Sequence, residues 1–142
     1  MQPKQGDVPE SPEEPILLVE GETLELEEQA QELLDVDLVK EISGPEDFQE
    51  ALTAAGGQLV AVEFSAMWCG PCRSIRPLFH ALSLRHKDVV FLEVDVDICE
   101  ELVKDCEIFS LPTFQFYKKA EKVGEFSGAL IERLEATIAE LK

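Results

Sequence analysis

The chain has 142 residues, of which 45% are hydrophobic, and a formal net charge of −18. Its length suits one compact domain with an appendage, and its apolar share is enough for a sizeable core. The acidic balance argues against nucleic acid and anionic membrane surfaces as partners, because both favour clusters of Lys and Arg.

The sequence also lacks membrane and secretory signals. No apolar run approaches the roughly 20 residues of a membrane span, and the N-terminus lacks the basic start and apolar stretch of a secretory signal. We therefore expect a cytoplasmic protein in a reducing compartment. Its four cysteines are, in that setting, more typical of catalytic or redox-sensing thiols than of a structural disulfide framework.

The acidic residues are concentrated near the N-terminus, where residues 1–37 carry 12 of the 30. Residues 3–15 are polar and contain four prolines, so we expect them to be disordered. Residues 23–36 predict either a short amphipathic helix docked on the domain or a solvated acidic face with a fluctuating helix. The sequence thus divides into a mostly disordered leader, 1–37, and a domain, 38–142.

From residue 38 onwards the hydrophobic period alternates between strand and helix, which is typical of an α/β sheet with helices on its faces. In chain order, the pattern predicts a strand at 38–42, a helix at 43–55, a strand at 59–64, a helix at 71–85, a strand at 89–95, a short helix at 100–104, a hairpin of strands 113–117 and 122–126, and a helix at 129–141.

Two helices carry more detailed expectations. In helix 71–85, Pro77 removes an internal hydrogen bond and predicts a kink. In helix 129–141, the helical spacing of the apolar residues predicts that Leu130 and four later apolar residues face the sheet.

The most informative motif is Cys69-Gly70-Pro71-Cys72, preceded by Trp68, at the junction of strand 59–64 and helix 71–85. The start of a helix points unpaired backbone N–H groups at the first sulfur and stabilises a thiolate there. The motif therefore predicts a reactive dithiol with the first sulfur at the surface.

Two other interpretations of this cysteine pair stay open. A zinc site needs four ligands, and the remaining candidates lack the usual ligand spacing; they are Cys99, Cys106, His80 and His86. A pair of merely buried residues fits poorly with the Gly-Pro turn between the cysteines.

Further motifs accompany the dithiol in order: Phe-Ser-Ala at 64–66, Val-Phe-Leu-Glu-Val-Asp-Val-Asp at 90–97, Pro-Thr-Phe-Gln-Phe at 112–116 and Lys-Val-Gly-Glu-Phe-Ser-Gly at 122–128. Together they resemble the thioredoxin family, specifically its animal cytosolic branch, over nearly all of 38–142. The resemblance implies a thioredoxin fold, with a central mixed sheet of four to five strands flanked by about four helices. It also implies a thiol-disulfide oxidoreductase that reduces protein disulfides.

The leader carries a narrower resemblance. Residues 2–14 resemble one unit of a Pro-, Lys- and Glu-containing repeat in a sperm-specific member of the family. This implies a role in sperm development or the sperm tail, and a chain that is the C-terminal part of a longer protein. An alternative of another class stays open: a structural or scaffold protein of the sperm tail whose redox domain serves mainly for binding.

The resemblance implies a role for each sulfur. Cys69 is the nucleophile, Cys72 resolves the mixed disulfide, and the two form the redox-active disulfide. Glu63 stands in strand 59–64, where the family carries a buried carboxylate, usually Asp. Desolvation raises the pKa of such a group, so Glu63 is the expected proton acceptor and donor for Cys72. A Glu that faces a solvent-lined strand edge is the other interpretation.

The resemblance also implies a substrate groove. Pro112 matches the proline that is cis in thioredoxins, and the residue before it, Leu111, would pair its backbone with the substrate; a plain turn proline is the alternative. The expected substrate-binding residues are Trp68, Gly70, Pro71, Leu111, Pro112 and Gly128.

The remaining cysteines carry a regulatory expectation. Cys99 and Cys106 match two non-catalytic cysteines of animal thioredoxins that oxidise to a second disulfide and lower activity; inert buried thiols are the alternative. Ser110 stands where vertebrate thioredoxins have a third cysteine, so a covalent dimer through that position is impossible. We expect a monomer.

The other polar residues carry weaker expectations. Arg73 and Arg76 either support the thiolate electrostatically or belong to a solvated helix face. His80 and His86 are expected to be surface or packing residues.

No nucleotide-binding glycine loop or other cofactor motif is present, so we expect no bound cofactor and no metal. The resemblance implies that electrons come from NADPH through thioredoxin reductase. The expected partners are disulfide-containing proteins and that reductase, without nucleic acid or membrane.

Overall fold

A computed structural model describes residues 38–142. The leader 1–37, with its predicted disorder and its predicted helix at 23–36, lies outside the described residues. Within them the chain forms five strands and four helices, in the order β1 (Val39–Glu41), α1 (Pro45–Ala55), β2 (Leu59–Ser65), α2 (Gly70–Arg85), β3 (Val89–Asp95), α3 (Glu100–Asp105), β4 (Thr113–Lys118), β5 (Glu121–Ser127) and α4 (Ile131–Leu141). No helix of this part is long and apolar enough to cross a membrane.

The strands form one mixed sheet in the order β1-β3-β2-β4-β5. Strand β3 runs parallel to both β1 and β2, whereas β4 runs antiparallel to β2 and β5 antiparallel to β4. The central strand, β2, is buried at all seven positions. This is the predicted fold, and it directs the ends of β2 and β3 and the start of β4 to the same edge of the sheet.

Each face of the sheet has its own apolar core. Ala61 and Phe91 lie on the face that α2 and α4 cover, where Phe79 of α2 and Leu134 of α4 pack against them. Val62 and its neighbours on the other face pack against α1 and α3. Because side chains alternate along a strand, β2 contributes alternate residues to the two cores.

Helix α1 begins two residues after the predicted start at 43, and its N-terminal cap residue, Gly44, has no side chain to cap the helix. The Ser43 backbone N–H donates to Asp47 Oδ2 at 2.9 Å, which satisfies a group ahead of the first turn. Pro45 is the first helical residue, and the helix ends at Ala55, followed by the cap residue Gly56, whose φ is 61°. Gly56 therefore adopts the left-handed backbone that a residue without a side chain accepts most easily.

Helix α2 passes through Pro77 and continues to Arg85. Ile75, Phe79 and Leu82 are buried on its inner face, as the helical spacing predicts. The proline therefore does not end the helix.

The hairpin turn is tighter than predicted. The sequence placed a four-residue loop at 118–121, but Lys118 pairs with Glu121. The two residues between them, Lys119 and Ala120, have φ of 53° and 66°, as in a type I′ turn. Such turns favour Asn and Gly, and neither residue is present to signal one.

The prediction that Leu130 faces the sheet is wrong. Helix α4 begins one residue later, at Ile131, and Leu130 has φ of −111° and ψ of 89°. This non-helical backbone removes its side chain from the buried helical stripe, and Leu130 is 47% exposed.

The packing of Phe79 yields a stability prediction. Its side chain is fully buried, and its ring centroid lies 5.2 Å from that of Phe91 and 5.7 Å from that of Phe114. Phe79→Ala should lower the free energy of unfolding by about 3–5 kcal/mol, because it removes apolar burial and leaves a cavity. Denaturant unfolding of the oxidised protein measures this. Val123→Ala, at a position 43% exposed, is the control and should change stability by less than about 0.5 kcal/mol.

Candidate active site

Cys69 occupies the N-terminal cap of helix α2. Its backbone is extended, with φ of −86° and ψ of 117°, and its sulfur accepts a hydrogen bond from the Cys72 backbone N–H at 3.2 Å. Gly70 and Pro71 form the start of the first turn, where a proline costs no helical hydrogen bond. The helix therefore directs backbone donors at the first sulfur, and negative charge there is stabilised.

The two cysteines form a disulfide, with Cα atoms 5.2 Å apart. Cys69 is 6% exposed and Cys72 2%. The prediction of a surface sulfur is therefore wrong in this oxidised state, because Val96 and Leu111 pack against the two cysteines and Ala66. Cys72 is the less exposed of the pair, as expected for a residue further into the helix.

Leu111 and Pro112 form the loop that faces the dithiol. Their peptide bond is cis, as the resemblance implied. The Pro112 carbonyl accepts a hydrogen bond from Gly128 N–H at 2.8 Å. Gly128 has φ of +112°, a backbone that side-chain-bearing residues rarely adopt. The end of β5 thus holds the loop in place, and Leu111 packs against the cluster of Ala66, Cys69 and Cys72.

Trp68 is an exposed ring held by a specific hydrogen bond. Its side chain is 67% exposed, and its indole Nε1–H donates to Asp97 Oδ2 at 2.9 Å. The Asp97 backbone N–H in turn donates to Asp95 Oδ1 at 2.9 Å. Asp97 was not among the predicted site residues, although the acidic pair at 95 and 97, at the end of a strand, is a visible signal.

Glu63 lies fully buried in the middle of β2. The solvent-edge interpretation is therefore excluded. Among residues 38–142, no donor satisfies either of its carboxyl oxygens, and Glu93 is the neighbour with which the protonated carboxyl shares a hydrogen bond. Burial, followed by the charge of the neighbouring Glu93, raises the pKa of Glu63 well above its usual value. The group is thus a buried carboxyl that favours its protonated form.

Glu93 is a second buried carboxyl, which was not among the predicted site residues. It is the β3 partner of Glu63 in the parallel register and is 5% exposed. Arg76 Nε lies 2.9 Å from Glu93 Oε2, and His80 Nε2 lies 3.5 Å from the same oxygen. A carboxylate in a buried run of strand residues was the signal that could have selected it.

Arg73 and Arg76, the two arginines considered as possible supports for the thiolate, each make defined contacts. Arg76 pairs with Glu93, and its Nη1 also lies 3.7 Å from Met67 Sδ. Arg73 Nη1 donates to the Met67 carbonyl oxygen at 3.0 Å. His80 is likewise more than a surface or packing residue, because it contacts the Glu93 carboxylate.

Cys99 and Cys106 are free thiols at the two ends of α3, where Cys99 is the N-terminal cap residue and Cys106 the C-terminal one. Cys99 Sγ donates to the Ile42 carbonyl oxygen at 3.2 Å, and Cys106 Sγ lies 4.0 Å from Tyr117 Oη. Burial raises the pKa of both thiols. Seven residues of helical rise separate their Cα atoms by about 10 Å, beyond disulfide reach. A bond between them therefore requires α3 to unwind.

Metal binding finds no support in the described residues. Within 38–142, no group of three or more His, Cys, Asp or Glu residues is placed to hold a metal ion.

Comparison with known proteins agrees with this geometry. The family model described as Thioredoxin matches residues 39–140. Human thioredoxin is 60% identical over 104 residues, which are 73% of this chain and 99% of that protein. The X-ray structure of Fasciola hepatica thioredoxin superposes with a TM-score of 0.72 at 37% identity, covering 72% of this chain and 99% of the other.

A longer relative matches the leader as well. Thioredoxin domain-containing protein 2 of Mus musculus is 58% identical over 137 residues, which are 96% of this chain but 26% of that protein. The chain spans about a fifth to a quarter of the length of the three relatives of that name. With a family model over most of its length and a dithiol that forms a disulfide, the chain belongs to the thioredoxin family.

Proposed function

We propose that the chain is a thiol-disulfide oxidoreductase that reduces disulfides in other proteins. The observation that carries this proposal is the Cys69–Cys72 disulfide at the N-terminus of α2, beside the cis Leu111–Pro112 bond. A dithiol in this position combines a stabilised thiolate with a neighbouring resolving thiol.

The reaction takes two exchanges. The Cys69 thiolate attacks one sulfur of the substrate disulfide; a Cys69–substrate bond forms, and the second substrate sulfur leaves with the electron pair as a thiolate. Cys72 then loses its proton to Glu63 and attacks the Cys69 sulfur. The Cys69–Cys72 bond forms, the first substrate sulfur leaves as a thiolate, and the substrate has gained two electrons.

Substrate binding depends on the surface around the dithiol. Trp68 is 67% exposed, Gly70 and Pro71 are exposed, and Leu111 is half-buried against the cluster of the two cysteines and Ala66. The proposed apolar substrate groove consists of these residues with Pro112 and Gly128, and the Leu111 backbone pairs with an extended substrate segment. Few polar groups select the substrate here, so many protein disulfides should be accepted.

The source of electrons and the setting are part of the proposal. NADPH supplies electrons through thioredoxin reductase, and the protein itself binds no cofactor. The protein acts as a monomer, in line with Ser110, and works in the cytoplasm of developing sperm cells or in the sperm tail. The sperm setting rests on the resemblance of residues 2–14 to the repeat described above.

The activity is tested by insulin reduction. The intact chain with thioredoxin reductase and NADPH should consume NADPH in proportion to the insulin disulfides reduced, and Cys69→Ser should abolish this because the attacking thiolate is lost. Cys106→Ser, outside the dithiol, is the control and should retain the rate. A folded chain that consumes no NADPH would contradict the proposal and favour the scaffold alternative.

Substrates are identified by trapping. In Cys72→Ser the resolving thiol is missing, so Cys69 should remain joined to substrates as mixed disulfides. Adducts that are released by reductant and identified by mass spectrometry measure this. The double variant Cys69→Ser/Cys72→Ser is the matched control. Equal adducts on both variants would show capture through another thiol.

Glu63 is tested by separating the two exchanges. Glu63→Gln should slow resolution of the mixed disulfide by about 100-fold, the usual size of a general-base contribution, and leave alkylation of Cys69 nearly unchanged. Because the pKa of Glu63 is raised, its carboxylate forms only at a higher pH than usual. The resolution rate of the wild-type chain should therefore rise as pH passes through the raised pKa. Glu63→Gln should lose this rise. Stopped-flow kinetics across pH measures both, and an unaltered resolution rate would remove Glu63 from the mechanism.

A further inference from the structure

Two carboxyl groups lie next to each other on neighbouring strands. Glu63 of β2 and Glu93 of β3 are register partners in a parallel pair, so their side chains share the face covered by α2. They are 0% and 5% exposed. Two negative charges so close together and so poorly solvated repel strongly. The pair is therefore expected to hold one proton at neutral pH.

The contacts decide which carboxyl carries the proton. Both Glu93 oxygens are bound: Arg76 Nη2 lies 3.1 Å from Oε1, and Arg76 Nε lies 2.9 Å from Oε2. No donor in the described part of the chain satisfies the Glu63 oxygens, and a hydrogen bond between the protonated Glu63 carboxyl and Glu93 contributes to the raised pKa of Glu63 and the lowered pKa of Glu93. Glu93 is thus the charged member, and Glu63 is the protonated one.

The electrostatics agree with this assignment. Burial, followed by the Glu93 charge, raises the pKa of Glu63. Burial alone would raise the pKa of Glu93 too, but the His80 hydrogen bond and the Arg76 charge hold it below its usual value.

Glu93 also reaches solvent, which Glu63 does not. It lines a pocket of about 90 Å³ at the sheet edge, together with Arg76, Ser65 and Asp95. The Arg76 side chain is 39% exposed, and that of His80 is 20% exposed. The same carboxylate therefore borders both the buried carboxyl and an opening where water can enter.

We propose that Glu93 relays protons between Glu63 and solvent, with Arg76 and His80 as positioning residues. This rests on the proposed function of Glu63 as the proton acceptor of Cys72. It adds a second carboxyl and a defined route for the proton.

The relay is balanced. At the start the pair holds one proton, on Glu63, which passes it to Glu93. The Glu63 carboxylate then accepts the Cys72 thiol proton, and the Cys72 thiolate displaces the substrate sulfur from Cys69. The pair now holds two protons, and Glu93 releases one to water in the pocket. One proton has reached solvent, and the pair has returned to its starting charge.

Other ionisable groups border the relay. From β1, the Glu41 carboxylate lies 3.9 Å from Arg76 Nη2. From β3, Asp95 borders the same pocket. From α2 come Arg76, His80 and the dithiol itself. The pH dependence of proton release therefore also reflects these groups, so pH profiles are compared between variants in which these groups are unchanged.

The test compares resolution with proton release. The reduced full chain, in excess, reacts with an aromatic disulfide whose thiolate is coloured, so the second phase of colour reports resolution. A pH-indicator dye in weak buffer reports proton release. In the wild-type chain the proton should appear together with resolution. In Glu93→Gln it should lag behind resolution by about 100-fold or more, the usual size of a general acid–base contribution.

A second readout follows the carboxyl directly. In Glu93→Gln the carboxyl NMR signal of Glu63 should titrate at lower pH than in the wild-type chain, because the neighbouring negative charge is gone. Glu135→Gln is the matched control. Glu135 lies on α4 and pairs at 3.4 Å with Arg85, which lies on α2 as Arg76 does. It should leave both readouts unchanged.

The outcomes separate the two proposals. Slow resolution in Glu63→Gln together with synchronous proton release in Glu93→Gln would overturn the relay and keep Glu63 as the base. Unchanged resolution in Glu63→Gln would overturn the role of Glu63 itself. If Glu93→Gln does not fold, the Arg76→Met variant is used instead. It keeps both carboxyl groups but removes the positive charge that favours ionised Glu93, so proton release should again lag behind resolution. Synchronous release in Arg76→Met would overturn the relay.

Discussion

A carboxyl group inside the central strand is the constraint on which the surroundings of the dithiol depend. Water is excluded from Glu63, so the protein must keep the group protonated or compensate its charge. It favours the protonated form at Glu63 and compensates the charge at Glu93 with Arg76 and His80. These two residues are four apart on α2, which places them on one helix face above the carboxyl pair.

The same constraint links stability to pH. The pKa of Glu63 is raised in the folded protein, so the folded state holds this proton more tightly than the unfolded chain. The resulting stabilisation is fully present below the pKa that Glu63 has in the unfolded chain. It is lost as pH rises through the raised pKa of Glu63 in the folded protein. A group that can give up a proton in a reaction step therefore also makes the fold less stable at alkaline pH.

Much of the fold follows from local signals, because the hydrophobic period changes clearly at each strand and helix. The dithiol and the Leu111–Pro112 loop, which were taken from the family resemblance, likewise lie at one edge of the sheet, where β2 and β3 end and β4 begins. Leu130 and the hairpin turn were mispredicted because helical spacing and turn residues do not reveal backbone dihedrals. Glu93 and Asp97 were missed because their importance comes from register and from the Trp68 contact, which pair residues far apart in the chain.

The tight turn between β4 and β5 has a practical consequence for modifying the molecule. Lys119 and Ala120 are exposed, and the six residues of β4 place them about 20 Å from the Leu111–Pro112 loop. Exposed loop tips are where chains best accept insertions. This turn is therefore a suitable place to attach a fluorescent label or insert an affinity tag while the Gly128 hydrogen bond and the substrate-facing loop remain unaltered.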